Sequence, residues 1–401
     1  MPTLSDPRAL LADTFGPGPE AGLISAPGRV NLIGEHIDYH GLPVLPIAIL
    51  RSIRVAFRVR ADRRIRAVSA SGYGVREFVW TADLAPTAAG DWENYPRAAA
   101  RAVGQKWGIG QGIDAAIVSD LPPAAGLSSS SALIVAVTLC LLRANGHQPT
   151  FEELMEILPD GEQFVGTRGG GMDHAASLAS RAGCASLIEF EPLAVRHVPV
   201  PPGWAFLVAH SLTVAEKSGA VRQQYNARRT AGTTALQRLG FASYRAAIAG
   251  RTFAELEDLA AHRLPSADER AAFLHVASEA LRVHAAVRAM EQSDAAAFGS
   301  LLVESHASLR DRLQVSCPAL DRLVDAAMDS GAQGARLTGA GFGGCAVVFC
   351  QERDLPAVRR GLIQRYYAEL PAFDERTHLI HAQPGPGALH SMKEFDASPH
   401  A

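Results

Sequence analysis

The chain contains very little lysine. Of its 38 lysines and arginines, only Lys106, Lys217 and Lys393 are lysines. None of the three lies beside a glycine-rich loop and the pattern G-x-x-x-x-G-K-[ST] does not occur, which excludes a Walker-type phosphate site. The net charge is −3, so the sequence also lacks the basic excess that is typical of nucleic-acid-binding proteins. We therefore predict no nucleic-acid partner.

Cysteines and long apolar runs are also scarce. The five cysteines are widely spaced and form no C-x-x-C pair, which argues against a disulfide framework and against a zinc site. The longest apolar run, Ala132–Leu142, is about half the length of a membrane-spanning helix. The first residues show no signal-peptide pattern. These features predict a cytoplasmic location and no membrane association.

The length of 401 residues suits two domains, at about 150 residues per domain. The first half alternates predicted strands and helices, whereas long Ala-, Leu- and Arg-rich helices dominate after Tyr225. The loop "PVPPG" at 199–203 marks the expected junction, because proline and glycine interrupt both kinds of element. We predict domains over residues 1–203 and 204–401.

Two local predictions concern the ends of elements. A short helix is predicted over Phe151–Leu158. A final strand is predicted over Arg376–His381.

The stretch "PGRVNLIGEHIDYHG" places much charge between apolar runs. Arg29, Glu35, His36 and Asp38 all lie within ten residues of one another. Such groups are rarely buried without partners. The stretch is therefore a candidate polar site at the edge of a core.

The stretch "GLSSSSALIVAVTLCLL" places four serines, 128–131, at the start of an apolar helix. The start of a buried helix has free N–H donors and a partial positive charge, so it can bind an anion. Serine hydroxyls add donors and can ligate Mg²⁺. The alternative is an ordinary serine N-cap, although one serine is enough for a cap.

Two further glycine-rich stretches carry weaker signals. In "LTGAGFGGC", Gly339 and Gly341 allow tight turns or the close approach of a ligand, and a simple cluster of turns is an equally good interpretation. In "GTRGGGMDHAASL", Asp173 begins a helix. Its carboxylate either stabilises the helix dipole or orients and deprotonates a substrate hydroxyl.

Three of these stretches resemble the three motifs of the GHMP kinase superfamily, in the same order: "PGRVNLIGEHIDYHG" is the first motif, "GLSSSSA" the second and "LTGAGFGG" the third. "PGRVNLIGEHIDYHG" is similar to the galactokinase signature, and "GTRGGGMD" is similar to the N-acetylgalactosamine kinase branch of the same family. The resemblance implies an α+β, two-domain fold. Its N-terminal domain has a ribosomal-protein-S5-like mixed sheet with helices, its C-terminal domain has helices on a small antiparallel sheet, and the active site lies in the cleft between them.

The resemblance implies an ATP-dependent kinase that phosphorylates the anomeric hydroxyl of D-galactose, acts as a monomer and needs Mg²⁺. Two alternatives stay open at this point. One is an N-acetylgalactosamine 1-kinase, and the other is a non-catalytic sensor that binds galactose and ATP. Ser131 and Ala132, a pair that is lost in the best-known sensor, are present here.

The resemblance also implies roles for individual residues. Asp173 matches the catalytic base, and Arg29 matches an arginine beside the attacking oxygen. The expected sugar-binding residues are Arg29, Glu35, His36, Asp38, Gly170, Asp173 and Tyr225. The expected ATP-binding residues are Ser69, Trp92, Ala124, Ala125, Gly126, Leu127, Ser128, Ser129, Ser130, Gly339 and Gly341.

The expected Mg²⁺ ligands are Ser130 and Glu162. Galactokinases usually carry their metal-binding glutamate one position earlier, where this chain has Gly161. The N-acetylgalactosamine kinase branch shows the same offset, which points to Glu162. A second departure is His174, which stands where the family usually has glutamine.

Overall fold

The computed structural model describes residues 6–20, 22–122, 126–164, 169–213, 220–390 and 392. Ala124 and Ala125 of the expected ATP-binding loop lie outside the described residues, as does the side chain of Glu162.

Two sheets organise the described chain, and a separate two-stranded ribbon lies between them in sequence. The strands are β1 (Gly22–Asn31), β2 (Pro46–Val59), β3 (Arg64–Ser69), β4 (Val75–Val79), β5 (Ile113–Ser119), β6 (Cys184–Phe190), β7 (Leu193–Pro199), β8 (Trp204–His210), β9 (Gly334–Thr338), β10 (Cys345–Gln351) and β11 (Leu379–His381). The first sheet has the order β1-β2-β5-β3-β4 and is mixed, because β3 and β5 run parallel and the other neighbours are antiparallel. The second sheet has the order β11-β8-β10-β9 and is entirely antiparallel.

Helices cover both sheets. The helices are α1 (Pro7–Phe15), α2 (Asn94–Trp107), α3 (Ser129–Ala144), α4 (Phe151–Phe164), α5 (Met172–Ala179), α6 (Ala220–Leu239), α7 (Tyr244–Ile248), α8 (Phe253–Arg263), α9 (Ala267–Glu291), α10 (Ala295–Ala307), α11 (Pro318–Asp329), α12 (Leu355–Leu362) and α13 (Glu375–His378). Helix α3 is buried all round from Ser131 to Leu142, as its uniformly apolar sequence predicts. It packs on β1 and β2, which places its N-terminus beside the charged stretch that follows β1.

A β-bulge in β1 lies at the first candidate residue. The pairing of β1 with β2 shifts between Pro27 and Arg29. A bulge of this kind bends the strand and redirects a side chain. The main-chain N–H of Arg29 donates to the carbonyl of Leu127 at 3.2 Å, so the bulge also joins β1 to the loop before α3.

Both local predictions about element ends were wrong. Helix α4 continues through Pro159 to Phe164. A proline inside a helix removes one N–H donor, and here the packing of α4 on α2 and α5 outweighs that loss. At the other end of the chain, α13 is helical up to His378 and only Leu379–His381 form a strand. Asp374 caps this short helix by accepting from the N–H of Thr377, a local bond that competes with strand pairing.

The hydrophobic core is shared between the two sheets. On β8, Phe206 and Val208 join the large cluster that also contains Ile24 and Phe57 of the first sheet, whereas Leu207 packs with α11 and α12 on the opposite face. The predicted boundary at residue 203 stays a prediction, and β8 begins at Trp204. The described helices include none that is both long enough and apolar enough to cross a membrane.

Candidate active site

Arg29 and Asp173 meet although they are 144 residues apart in the sequence. Arg29 Nε donates to Asp173 Oδ1 at 2.6 Å, and Nη2 lies 2.5 Å from the same oxygen. The Arg29 side chain is 6% exposed, whereas that of Asp173 is 23% exposed. The guanidinium group is therefore buried behind a carboxylate that still faces an opening. The convergence that the motifs predicted is present.

Ser128 does not act as an ordinary helix cap. It is the N-cap residue of α3 but has left-handed backbone dihedral angles (φ 59°) and makes no side-chain capping bond. Its hydroxyl instead donates to Asp173 Oδ2 at 2.5 Å, and Ser131 Oγ lies 3.5 Å from the same oxygen. Ser128 occupies the N-cap position, but the interpretation of its side chain as an ordinary helix cap is wrong. The hydroxyl instead connects the start of α3 to Asp173.

The same junction includes Gly126 and Leu127. The carbonyl of Gly126 accepts from Arg29 Nη1 at 2.7 Å. Gly126 has φ 73°, a conformation that glycine adopts without strain. Leu127 is buried and its carbonyl accepts from Arg29 N, while Ser129 and Ser130 form the partly exposed first turn of α3. The predicted phosphate loop therefore lies directly against Arg29.

Glu35 is deeply buried between the two halves of the chain. It is 2% exposed, and Asn31 Nδ2 donates to its Oε2 at 2.7 Å. Its Oε1 accepts from the N–H of Gly339 at 2.5 Å and the hydroxyl of Thr338 at 3.2 Å. The guanidinium of Arg336 lies 3.4 Å from the same oxygen. The Glu35 carboxylate therefore joins the first motif to the third.

His36 forms hydrogen bonds with the protein through both ring nitrogens. Nε2 lies 3.1 Å from the carbonyl of Ala340, which can only accept, so Nε2 carries the proton. Nδ1 then accepts from the hydroxyl of Tyr39 at 2.9 Å. Burial lowers the pKa of His36 to about 3, which keeps the ring neutral at pH 7. A sugar contact through the ring requires one nitrogen to exchange its partner.

Tyr225 of α6 packs beside the rings of His36 and Tyr39. Its ring centroid is 5.1 Å from that of His36 and 5.7 Å from that of Tyr39. The guanidinium of Arg229, one helical turn further along α6, lies 5.7 Å from the centroid of Tyr39. Tyr225 therefore lies beside His36, and its predicted sugar contact stays a prediction.

Asp38 lies close to the other two carboxylates, and no arginine among the described residues forms an ion pair with it. Its Oδ2 accepts from the N–H of Gly170 at 3.1 Å. Burial, followed by the charges of Asp173 and Glu35, raises the pKa of Asp38 to about 7. A Cβ on Gly170 would lie 2.3 Å from the main chain of Asp38 and Tyr39, so the glycine allows Asp38 to approach. The predicted sugar contact of Gly170 stays a prediction.

Gly339 and Gly341 of the third motif have different local roles. Both have positive φ angles, 86° and 78°. Gly339 donates to Glu35, whereas a Cβ on Gly341 would lie 2.2 Å from the carbonyl oxygen of Val315. Gly341 is therefore required by the packing of its own loop against Val315. The interpretation as a cluster of turns accounts for Gly341, and Gly339 belongs to the site.

Ser69 and Trp92 lie apart from this cluster in the contacts of the described residues. Ser69 ends β3 and accepts from the N–H of Ser71. Trp92 precedes α2, and the guanidinium of Arg76 lies 5.9 Å from its ring centroid. Their nucleotide contacts stay predictions.

Sequence reasoning missed the buried residues that hold the first motif in place. They are Asn31, His275, Glu279, Arg336 and Thr338, and the partly buried Arg282 pairs with Glu279. Asn31 lies within the first motif, so the sequence could have indicated its role. Glu279 lies in an Ala-rich helix, 244 residues from the main-chain N–H of Glu35 to which it bonds. No local pattern marks such a partner.

Comparison with known proteins agrees with the motifs. Models of three families match the chain: the galactokinase galactose-binding signature at residues 10–59, the GHMP kinases N terminal domain at 94–181 and the GHMP kinases C terminal domain at 286–369. A galactokinase from Roseiflexus sp. (strain RS-1) is 39% identical over 349 residues, which cover 86% of this chain and 87% of the relative. This chain belongs to the galactokinase family.

Solved structures of related proteins share the galactokinase-family fold. The crystal structure of Lactococcus lactis galactokinase complexed with galactose superposes with a TM-score of 0.85 at 27% identity, covering 94% of this chain and 97% of that chain. L. major mevalonate kinase in complex with R-mevalonate gives 0.60 at 20% identity, covering 92% and 97%, which shows a common fold alone.

The predicted family, fold class and enzyme class are confirmed. The chain has the two-domain GHMP kinase fold and is an ATP-dependent galactokinase-type phosphotransferase. The comparisons give no support to the two alternatives, the N-acetylgalactosamine kinase and the non-catalytic sensor.

Proposed function

We propose that this galactokinase-family enzyme transfers the γ-phosphoryl group of ATP to the anomeric hydroxyl of D-galactose at the Arg29–Asp173 pair. The observation that carries the proposal is the 2.6 Å bond between Arg29 Nε and a partly exposed Asp173 carboxylate beside the start of α3. A helix start and an arginine suit a triphosphate, and a carboxylate suits a hydroxyl.

In this reaction the anomeric oxygen attacks the γ-phosphorus. The bond between that phosphorus and the β–γ bridging oxygen breaks, and ADP leaves. The hydroxyl proton passes to Asp173. Because phosphoryl transfer depends mainly on positioning and charge stabilisation, the fixed Arg29 guanidinium supports the reaction by offsetting negative charge beside the attacking oxygen.

The sugar is proposed to lie against Asp38, His36 and Tyr225. Asp38 offers carboxylate oxygens to sugar hydroxyls, and the Tyr225 ring offers a flat apolar surface. A site of this type discriminates against sugars that leave its polar groups without partners. All of these residues belong to one chain, so the scheme requires no partner subunit, and a monomer stays the prediction.

Ser130 and Glu162 are proposed to hold Mg²⁺ together with the phosphates. A hydroxyl and a carboxylate fit this ion, which prefers oxygen ligands and usually keeps water and substrate phosphates in its shell. The described residues include no group of three His, Cys, Asp or Glu that could hold a metal. A bound Mg²⁺ would neutralise charge on the transferring phosphates.

A substrate panel tests the proposed activity. Purified protein is mixed with ATP, Mg²⁺ and D-galactose, N-acetylgalactosamine or D-glucose, and ADP release is followed by a coupled assay. We expect kcat/KM to be highest for D-galactose. A higher value for N-acetylgalactosamine, or no ADP release with galactose, contradicts the proposal.

The role of Asp173 has its own test. We expect Asp173→Asn to lower kcat by about 10²–10⁴-fold, the usual contribution of a positioned acid–base group, while galactose still binds in calorimetry. The matched control is Asp325→Asn on the exposed face of α11, which should keep wild-type kcat. Equal turnover of the two variants would remove Asp173 from the mechanism.

A further inference from the structure

One face of α9 presents buried polar side chains to the back of the first motif. His275 and Glu279 lie one helical turn apart and are both 0% exposed. Arg282 is three residues further on and forms an ion pair with Glu279 at 2.8 Å. A carboxylate this deeply buried is rare and needs several partners.

Glu279 binds the main chain of the motif through a single oxygen. Its Oε1 accepts from the N–H of Gly34 at 2.9 Å and from the N–H of Glu35 at 3.3 Å. The hydroxyl of Ser305 donates to the same oxygen at 2.7 Å. Successive N–H groups that point at one anion form a nest. Although burial opposes ionisation, the Arg282 and Arg336 guanidinium groups lower the pKa of Glu279 to about 2, so the anion is present at pH 7.

His275 holds the other end of the same residue. Its Nε2 lies 3.1 Å from the carbonyl of Glu35, so Nε2 must be the donor. Its Nδ1 accepts from the hydroxyl of Ser308 at 2.9 Å. Burial lowers the pKa of His275 to about 4, and the neutral ring supplies the one donor and one acceptor that these bonds need. Both polar groups of the Glu35 main chain are thus bonded to α9.

The segment held in this way includes one residue, His36, with an uncommon backbone conformation. Gly34 has φ 105°, and His36 has φ 60°, which is uncommon for a residue with a side chain. Such conformations persist only where surrounding contacts determine them. The side chains of Glu35 and His36 then reach Gly339 and Ala340 of the third motif.

We propose that Glu279 and His275 are positioning residues for sugar recognition. From α9 they hold the main chain of Gly34–His36, and so place His36 and Asp38 for the sugar and Glu35 for its bonds to Thr338 and Gly339. This inference rests on the proposed function, because the sugar contacts of the motif belong to it.

The test compares four variants with the wild type. Glu279→Leu removes the acceptor, and Glu279→Gln keeps one acceptor oxygen at similar size. Ser305→Ala removes one donor to the same Oε1 and leaves the nest intact. Leu323→Ala creates a cavity on the far face of the second sheet, in the separate cluster there, and serves as a control for lost stability.

We expect Glu279→Leu to raise the galactose KM at least tenfold and the ATP KM less than threefold, with Glu279→Gln in between. Ser305→Ala and Leu323→Ala should stay within twofold for both. If galactose and ATP KM rise together in the Glu279 variants, or if neither rises, the positioning role is wrong.

Hydrogen exchange of the Gly34 and Glu35 amides gives a second readout that needs no substrate. We expect these amides to exchange at least tenfold faster in Glu279→Gln than in Ser305→Ala. Equal exchange rates in these two variants would overturn the inference. If the wild type fails to phosphorylate galactose but the exchange difference is present, the proposed function fails and the positioning of the loop stands. If the wild type is active and neither readout changes, the inference fails alone.

Discussion

At the scale of single residues, the three carboxylates of the site, Asp173, Glu35 and Asp38, differ in the groups that offset their negative charge. Asp173 contacts Arg29, and Glu35 contacts Arg336. Asp38 is bonded to the main-chain N–H of Gly170 and lies near the charges of the other two. Burial and those charges raise the pKa of Asp38 to about 7, so this carboxylate changes charge in the physiological range.

The first prediction concerns galactose binding by Asp38. We expect the galactose KM to rise by up to about tenfold as the pH falls from 8 to 6, because the ionised fraction of a group with this pKa falls by that factor. Asp38→Asn should show a high galactose KM that does not depend on pH in this range. A wild-type KM that is constant from pH 6 to 8 would contradict the assignment.

The same substitution should stabilise the protein without ligand. The folded pKa of Asp38 lies above the usual value, so the folded state binds the proton more tightly and stability falls as the pH rises from about 4 to 7. At pH 8, Asp38→Asn should therefore be more stable than the wild type by roughly 1–3 kcal/mol, and the gain should vanish near pH 4. Urea denaturation measures this, with exposed Asp13→Asn on α1 as the control.

Sequence reasoning reached the residues that a motif spells out and missed those that hold it. Arg29 and Asp173 were predictable together because each lies in a recognisable string. Glu279 and His275 were not, since their partner is a peptide group more than 200 residues away and their helix shows only an apolar pattern. Their function depends on tertiary placement.

At the scale of elements, turns decide where the site residues lie. The bulge at Pro27–Arg29 redirects β1, and the left-handed Ser128 opens α3 toward Asp173. The strands and helices around them were predictable in kind from periodicity. The conformations at the turns were not predictable. A serine whose hydroxyl caps a helix and a serine whose hydroxyl binds a distant carboxylate look the same in the sequence.

The second prediction uses Gly170, which lies just before α5. A methyl group there would fall 2.3 Å from the main chain of Asp38 and Tyr39, so the turn containing Asp38 must move. We expect Gly170→Ala to raise the galactose KM at least tenfold and to change the ATP KM much less. The measurement is steady-state kinetics with each substrate varied in turn.

Gly146→Ala is the matched control for this glycine. Gly146 has a positive φ of 74° with no atom within 4 Å of the added Cβ, so the cost should be local strain of about 1 kcal/mol. Its galactose KM should equal that of the wild type. If both variants show the same galactose KM, Gly170 does not make room for Asp38.

At the scale of the whole molecule, two features join the second sheet to the first: a common hydrophobic core, and the buried ion pair between Arg336 and Glu35. Phe206 and Phe349 pack in the cluster that contains the first sheet. Residues Pro384–His390 return to the first half, where the N–H of Gly385 donates to the carbonyl of Ala48 at 2.8 Å. We therefore expect the two halves to unfold together.

Arg336 joins the two halves of the chain through buried polar contacts. It lies on β9, is 0% exposed, and donates through Nη1 to the carbonyls of Asn31 and Leu32 at 3.1 and 2.9 Å. Its Nη2 lies 3.4 Å from Glu35. Removing one partner of a buried ion pair costs about 3–5 kcal/mol, because the other charge stays buried.

The third prediction follows from this arrangement. Calorimetry of the wild type should show one unfolding transition, and Arg336→Met should lower its midpoint by roughly 4–6 °C, since a chain of this length loses only about 1.2 °C per kcal/mol. The control is Arg353→Met, whose side chain is 83% exposed and should leave the midpoint unchanged. Because Arg336 joins β9 to the main chain that precedes Glu35, the variant should also gain less thermal stability from saturating galactose than the wild type does. Two separate transitions in the wild type, with only one shifted by Arg336→Met, would show that the halves unfold independently and that this arginine stabilises only its own sheet.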